Sequence, residues 1–320
     1  MSTAAQGPRA QFPAETSADG AFVRQRYTIR DRITADGSSG FRAEPGRYHL
    51  YVSLACPWAH RTLIVRALLG LEDVVTASVV DPVRDERGWA FREGPNHGPD
   101  PVNGFAFLSE AYLRTDPSYT GRYTVPCVWD RVTGRLVSNN FPDVTIDLET
   151  QFTAFHRPGA PDLYPAALRE EIDAVNARVY ADVSDGVYRA GFATSQEAHA
   201  RAVTALFARL DWLEARLATR RWLVGDAMTE ADVRLFTTLV RFDAVYHGHF
   251  KCNLRRLVDY PHLWAYARDV YQTPGVAATV DFDHIKRHYY VTHEKLNPTR
   301  LVPLGPLVDW TAPHGRARLG

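Results

Sequence analysis

The run RYHLYVSLACPWAHRTLIVRALLG, residues 47–70, constrains the fold more than any other stretch of the chain. Its first part is aromatic and β-branched, which reads as a strand; Pro57 then stands where a helix takes its first residue. Leu63, Ile64, Ala67, Leu68 and Leu71 continue at helical spacing, and Gly70 marks the end. A second β-rich run, VVTASVV at 74–80, follows at once, so the chain opens a β-α-β unit with parallel pairing expected. Cys56 therefore sits between a strand end and a helix start. Free N–H groups and the positive end of the helix dipole meet there, favouring thiolate over thiol, and the expectation is a pKa lowered from about 8.5 toward or below neutrality. Ala59 occupies the place of a second cysteine, so a disulfide formed at Cys56 needs an outside thiol to resolve it. The competing reading is a buried core cysteine that happens to end a strand.

Residues 83–106 are rich in Gly, Pro and Asn and read as a long loop, closed by a short helix through FLSEAYLRT. YTVPCVWD at 123–130 and RLVSN at 135–139 read as a hairpin, and a helix is expected over 142–154. Pro126 removes a ladder donor, so its strand is either an edge or the Val125–Pro126 bond has a special geometry. The order is β-α-β-α-β-β-α. From about 165 the pattern is helical throughout: LREEIDAVNARVYADV, SQEAHARAVTALFARLDWLEARLATR, TEADVRLFTTLVRFDAVY and LWAYARDVYQ, with Thr229 and Asp232 as a capping box. The expected division is an N-terminal extension (1–45), an α/β thiol-binding domain (46–155), an all-α domain (165–300) and a C-terminal tail (301–320). The extension shows no chemistry around its one mixed stretch, FVRQRYTIRDRI, and reads as laid on the surface.

Composition excludes several function classes. Lys plus Arg and Asp plus Glu number 37 each, so no net field attracts a polyanion and no nucleic-acid partner is expected. No apolar run is long enough for a bilayer and the N-terminus lacks a signal segment, so a soluble, cytoplasmic protein with no membrane partner is expected. Cys56, Cys127 and Cys252 are too few and scattered for a disulfide framework or zinc site. His284 and His288, four apart, and His247 and His249, flanking Gly248, offer pairs without a third ligand; structural histidines and no metal are expected. His60 is a conceivable base for Cys56, which hardly needs one at a helix start. Three of the 37 basic residues are lysine, a bias that suggests a GC-rich genome.

The β-α-β-α-β-β-α order with a proline at the start of the third strand resembles the thioredoxin-like arrangement, in which a cis proline faces the sulfur. With an all-helical second half, the chain looks like a glutathione transferase. Six blocks, RYHLYVSLACPWAHR, GRYTVPCVWD, GVYRAGFATSQEA, GHFKCNLRR, YPHLWAYARDVYQTPGV and DFDHIKRHYY, resemble the glutathionyl-hydroquinone reductases, the Xi class, over roughly residues 42–306. The resemblance implies that Cys56 attacks the sulfur of a glutathionyl-hydroquinone, releases hydroquinone, and forms a mixed disulfide that a second thiol reduces. It implies that Trp89 contacts the bound thiol, that Arg122, Val125 and Pro126 border it, and that Tyr188, Tyr246 and Tyr289 line the quinol pocket. Phenol hydroxyls there supply a proton or stabilise oxygen charge as the ring leaves, a role for Tyr188 and Tyr289. It also implies a homodimer.

Members of the family commonly read S-N-E-S after the hairpin, where the Glu and Ser hold the γ-glutamyl end of glutathione. Here the stretch is SNNF, with Asn140 and Phe141 in those places. A hydrogen bond to a charged group contributes about 1.5–3 kcal/mol, so losing two weakens glutathione binding by orders of magnitude. The expected co-substrate is a low-molecular-weight thiol, glutathione or mycothiol. Mycothiol lacks the γ-glutamyl ammonium and carboxylate and suits an uncharged Asn-Phe pair. The alternatives are a conjugating or dehalogenating transferase, and a non-catalytic thiol- or quinone-binding protein on the same fold.

Overall fold

β1 (Tyr48–Val52) is buried at all five residues because it has a strand on each side and helices over the sheet, so its sequence runs apolar instead of alternating. The structure, a computed structural model, describes residues 15–319. Four strands lie in the order β2-β1-β3-β4, with β2 (Thr76–Val79) parallel to β1, and β3 (Cys127–Asp130) antiparallel to both β1 and β4 (Arg135–Ser138). Leu50 sits opposite Ala77 on one side and Val128 on the other, which fixes the register. The hairpin closes where Gly134, at φ 65°, donates its N–H to Asp130 O. The Asp130 carboxylate takes Arg47 Nε, Val132 N and Thr133 Oγ1, which satisfies a fully buried charge.

α1 (Pro57–Leu69) begins and ends where the sequence places it, with Pro57 in its first turn and Gly70 left-handed at φ 69° after it. All but two of its thirteen residues are buried, since α1 packs on α3 (Phe141–Thr150) and on α7 (Glu230–Arg241) of the helical half. α2 (Leu108–Thr115) closes the long loop after β2. β3 starts one residue after Pro126 and is a central strand, so the edge alternative does not hold; the Val125–Pro126 bond is cis. The expected strand from 123 is accordingly shorter.

In the second half α4 (Arg169–Val179), α5 (Gly186–Gly191), α6 (Gln196–Leu217), α7, α8 (Pro261–Gln272) and α9 (Phe282–Thr292) pack around one core. Two runs expected as continuous helices widen into π turns, at Tyr180–Ser184 and Phe242–Tyr246. Neither contains a Gly or Pro to announce the change, and both adjoin residues of the site, a common place for π turns. The capping box at Thr229 is present: Asp232 accepts from Thr229 N at 2.8 Å, and also from Leu223 N and Tyr266 Oη. Among the described residues no helix is long and apolar enough to cross a membrane.

Residues 15–45 depart from the expectation of a passive surface extension. Asp31 N donates to Val137 O and Asn139 N to Ile29 O, covering the outer edge of β4, a position otherwise open to pairing with another chain. Phe22, Ile33 and Phe41 are buried in the common core, and Gly20 O accepts from Thr194 N in the helical half. The segment is a strap across both halves.

Arg241, fully buried on α7, joins the halves at the critical turn. It donates to Leu54 O at 2.8 Å, Ala55 O at 2.9 Å, Thr237 O at 2.8 Å and His60 Nδ1 at 3.0 Å. Replacing it by Met leaves two buried carbonyls ahead of Cys56 without donors; Arg241→Met is expected to lower unfolding free energy by about 3 kcal/mol or more, read from urea denaturation.

Candidate active site

Cys56 is the residue before α1, with extended backbone, and its Sγ lies 3.4 Å from Val125 O, beside the cis peptide bond to Pro126. The backbone N–H groups of Trp58 and Ala59 address the sulfur, as a helix start provides, and Arg241 and Arg24 add positive charge. These four influences favour the thiolate. Burial nonetheless prevails: Cys56 keeps some accessible surface, but its surroundings are desolvated enough to push the thiol up, against the lowered value expected from the turn alone. His60 is not its base. Nδ1 accepts from Arg241 and Nε2 donates to Thr279 Oγ1 at 2.8 Å, and burial beside that guanidinium holds the ring well below the usual histidine range, neutral.

Tyr188, Tyr246 and Tyr289 come together although they lie on three separate elements. The Tyr289 hydroxyl is 2.5 Å from that of Tyr188 and 3.0 Å from that of Tyr246. The π turns place two of them: Tyr188 is on α5 directly after one, and Tyr246 ends the other. Burial holds all three phenols above their ordinary range, so they are neutral donors throughout physiological pH, and the charge of Cys56 bears on both Tyr188 and Tyr246. His288 packs on Tyr289 at 5.2 Å and on Trp89 at 4.9 Å, which ties the buried Trp89 to the same cluster.

Trp58, two residues after Cys56, is the hub that the sequence did not announce. It stacks on Phe141 at 4.6 Å and on Tyr188 at 6.0 Å, with the guanidiniums of Arg61 and Arg24 at 4.7 and 5.1 Å from its ring. Cation over indole is a favourable arrangement, strongest when desolvated. Phe141 is thus part of the packing beneath the site, 2% exposed, while Asn140 donates from Nδ2 to Asp143 Oδ2 at 2.5 Å. Neither side chain presents a charge. Arg122 is held by Glu15 of the strap at 2.8 Å, and together with Arg24, Tyr27 and Asn139 it lines a polar crevice. A second, apolar cavity between the sheet and α3, lined by Ile33, Leu50 and Leu148, lies away from Cys56 and belongs to the core. Behind the tyrosines the buried His249 and His293 share a hydrogen bond of 3.1 Å, another pair that spacing did not reveal. Among the described residues no three His, Cys, Asp or Glu side chains are grouped to hold a metal ion.

A cysteine at a helix start, a cis proline across from it and a helical half supplying neutral phenols form the frame of a thiol-using transferase. Residues 55–151 match the family "Glutathione S-transferase, N-terminal domain" and residues 196–269 match "Glutathione S-transferase, C-terminal domain". The glutathionyl-hydroquinone reductase PcpF of Sphingobium chlorophenolicum is 50% identical over 291 residues, covering 91% of each chain. The chain belongs to the glutathionyl-hydroquinone reductases. It is an enzyme of the glutathione transferase superfamily, with a thioredoxin-like domain followed by a helical one. Among solved structures, a glutathione transferase from Gordonia bronchialis has 55% identity and a TM-score of 0.89 over 92% of both chains. The glutathione-bound structure of YqjG from Escherichia coli K-12 has 48% identity and a TM-score of 0.89, covering 91% of this chain and 97% of that one.

Phe141 provides a direct check on the geometry of this family member. Phe141→Ala empties the space under Trp58 and is expected to cost about 3–4 kcal/mol of stability, measured by thermal and urea unfolding. A near-neutral result would place the ring outside the packed site.

Proposed function

We propose that this protein is a thiol-dependent reductase that cleaves the thioether of a hydroquinone conjugate through Cys56. The Cys56 thiolate attacks the thioether sulfur and the carbon–sulfur bond breaks. Its electron pair passes to the ring carbon, which takes a proton and leaves as hydroquinone. Cys56 is left in a mixed disulfide with the thiol, and a second thiol attacks that disulfide, returning the Cys56 thiolate and yielding the oxidised thiol. The observation that carries this reading is the pairing of a cysteine at a helix start with a hydrogen-bonded trio of neutral phenols whose nearest members feel its charge. Tyr188 and Tyr289 donate toward the ring as it departs, Tyr246 holds Tyr289, Val125 and Pro126 border the thiol, and Trp89 and Arg122 contact its far end.

The thiol is mycothiol in preference to glutathione. Asn140 is neutral and gives its Nδ2 to Asp143, and Phe141 is buried beneath Trp58, so the pair offers no carboxylate to the ammonium and no hydroxyl to the carboxylate of a γ-glutamyl group. Glutathione is the second reading, favoured by the 48% identity to a relative whose structure holds it. The protein works in the cytoplasm, and as a homodimer, the latter as the family resemblance implies.

Two experiments decide these points. Cys56→Ser is expected to lose reductase turnover by at least about a thousandfold with the fold intact, as for removal of an essential nucleophile; retained turnover overturns the nucleophile. Offered mycothiolyl-menadiol with mycothiol, or glutathionyl-menadiol with glutathione, the enzyme is expected to turn over the mycothiol pair with the higher kcat/KM. Faster turnover of the glutathione pair reverses the choice of thiol.

A further inference from the structure

The strap carries a guanidinium into the site that the chemistry above leaves unused. The guanidinium carbon of Arg24 lies 4.8 Å from the ring centroid of Tyr188, 5.1 Å from that of Trp58 and 5.2 Å from that of Phe22. Its Nε donates to Asp185 Oδ1 at 2.6 Å. Its Nη2 is buried and has no hydrogen-bond partner. A guanidinium is a rigid fork of five N–H donors, so the bond to Asp185 and the three rings together fix where Nη2 points. A charged donor held buried and unpaired calls for an explanation in what the site does.

The other cations nearby are engaged elsewhere, although the Nε of Arg61 and of Arg122 is, like Arg24 Nη2, buried without a hydrogen-bond partner. Arg241 spends its donors on Leu54 O, Ala55 O, Thr237 O and His60, Arg61 donates to Ser184 Oγ and Arg234 O, Arg122 holds Glu15, and Arg84 lies over Trp89. The groups electrostatically coupled to Cys56 include the cations Arg24, Arg241 and Arg84 and the neutral phenols Tyr27, Tyr188 and Tyr246. Of these, Arg24 alone among the cations combines contact with both Trp58 and Tyr188 with a spare buried donor.

We propose that Arg24 is a positioning residue of the Cys56 reaction: its unpaired Nη2 supports the negative charge on the Cys56 sulfur before attack and again when the second thiol releases it. Because burial opposes that charge, a cation fixed by stacking is the means by which a desolvated site keeps a usable thiolate. The first part of the strap, residues 15–27, is then part of the active site, while the rest covers the sheet edge. The proposal rests on Cys56 being the nucleophile.

The test is the pH dependence of Cys56 alkylation by iodoacetamide in the full-length protein, followed on the Cys56 peptide by mass spectrometry, with Cys127 and Cys252 buried and out of reach. Arg24→Met keeps the apolar stem and removes the charge. It is expected to raise the alkylation midpoint by about one pH unit, which is about tenfold slower alkylation at a fixed pH below the midpoint. Arg24→Gln gives the same reading should the Met variant not fold. Arg24→Lys keeps the charge and is expected to shift the midpoint less than half as far. A purely structural role would lower the melting temperature and leave the midpoint unmoved. An unmoved midpoint in the Met and Gln variants overturns the proposal, as does a Lys variant displaced as far as Met. Failure of the nucleophile is separate and distinguishable, since it appears as turnover retained by Cys56→Ser with any result at Arg24.

Discussion

The grip of Arg241 on the carbonyls of Leu54 and Ala55 is the contact on which the rest of the site depends. The turn before Cys56 belongs to the sheet, yet its donors come from α7 in the helical half, and the same guanidinium fixes the tautomer of His60 inside α1. A buried guanidinium is costly unless its N–H groups find partners, and those of Arg241 find His60 and carbonyls that themselves need donors. The two halves therefore cannot part without exposing both sides of that bargain. Cys56 keeps its position relative to the tyrosines because of it.

Around this joint the site is built from aromatic faces and guanidiniums. Trp58 lies among Phe141, Tyr188, Arg61 and Arg24, and Tyr188 leads on to Tyr289 and Tyr246. Such an environment excludes water, which raises the cost of a thiolate and of a phenolate alike. It also makes each fixed cation more effective, since Coulombic interaction strengthens as the dielectric falls. The neutral state of the phenols and the dependence of Cys56 on its cationic neighbours have one physical origin.

Much of the sheet half was legible. Pro57, Gly70 and the two β-rich runs placed β1, α1 and β2, and the hairpin residues placed β3 and β4, because turn and cap chemistry is local. Pro126 posed the right alternative, but only the sheet order decides that its strand is central. The π turns left no local mark, as the widening at Tyr180–Ser184 and Phe242–Tyr246 is imposed by packing. The resemblance to a family brought Tyr188, Tyr246 and Tyr289 to notice, and their hydroxyls do meet; no spacing in the sequence relates them. Arg24, Trp58 and the His249–His293 pair went unnoticed because their partners lie far along the chain, and an arginine among the many of FVRQRYTIRDRI carries no signal of its own. The balance at Cys56 is illegible for a related reason: the helix start that favours thiolate is visible in sequence, whereas the burial that opposes it is not.

Intact-protein mass spectrometry tests the central claim most directly. The protein is mixed with one equivalent of a quinol thioether and no free thiol, so that the second half of the reaction cannot proceed. The expected result is a single adduct on Cys56 with the mass of the thiol less two hydrogens, accompanied by an equal amount of free hydroquinone. An adduct carrying the quinol ring, or hydroquinone released with Cys56 unmodified, would contradict attack of Cys56 on the thioether sulfur.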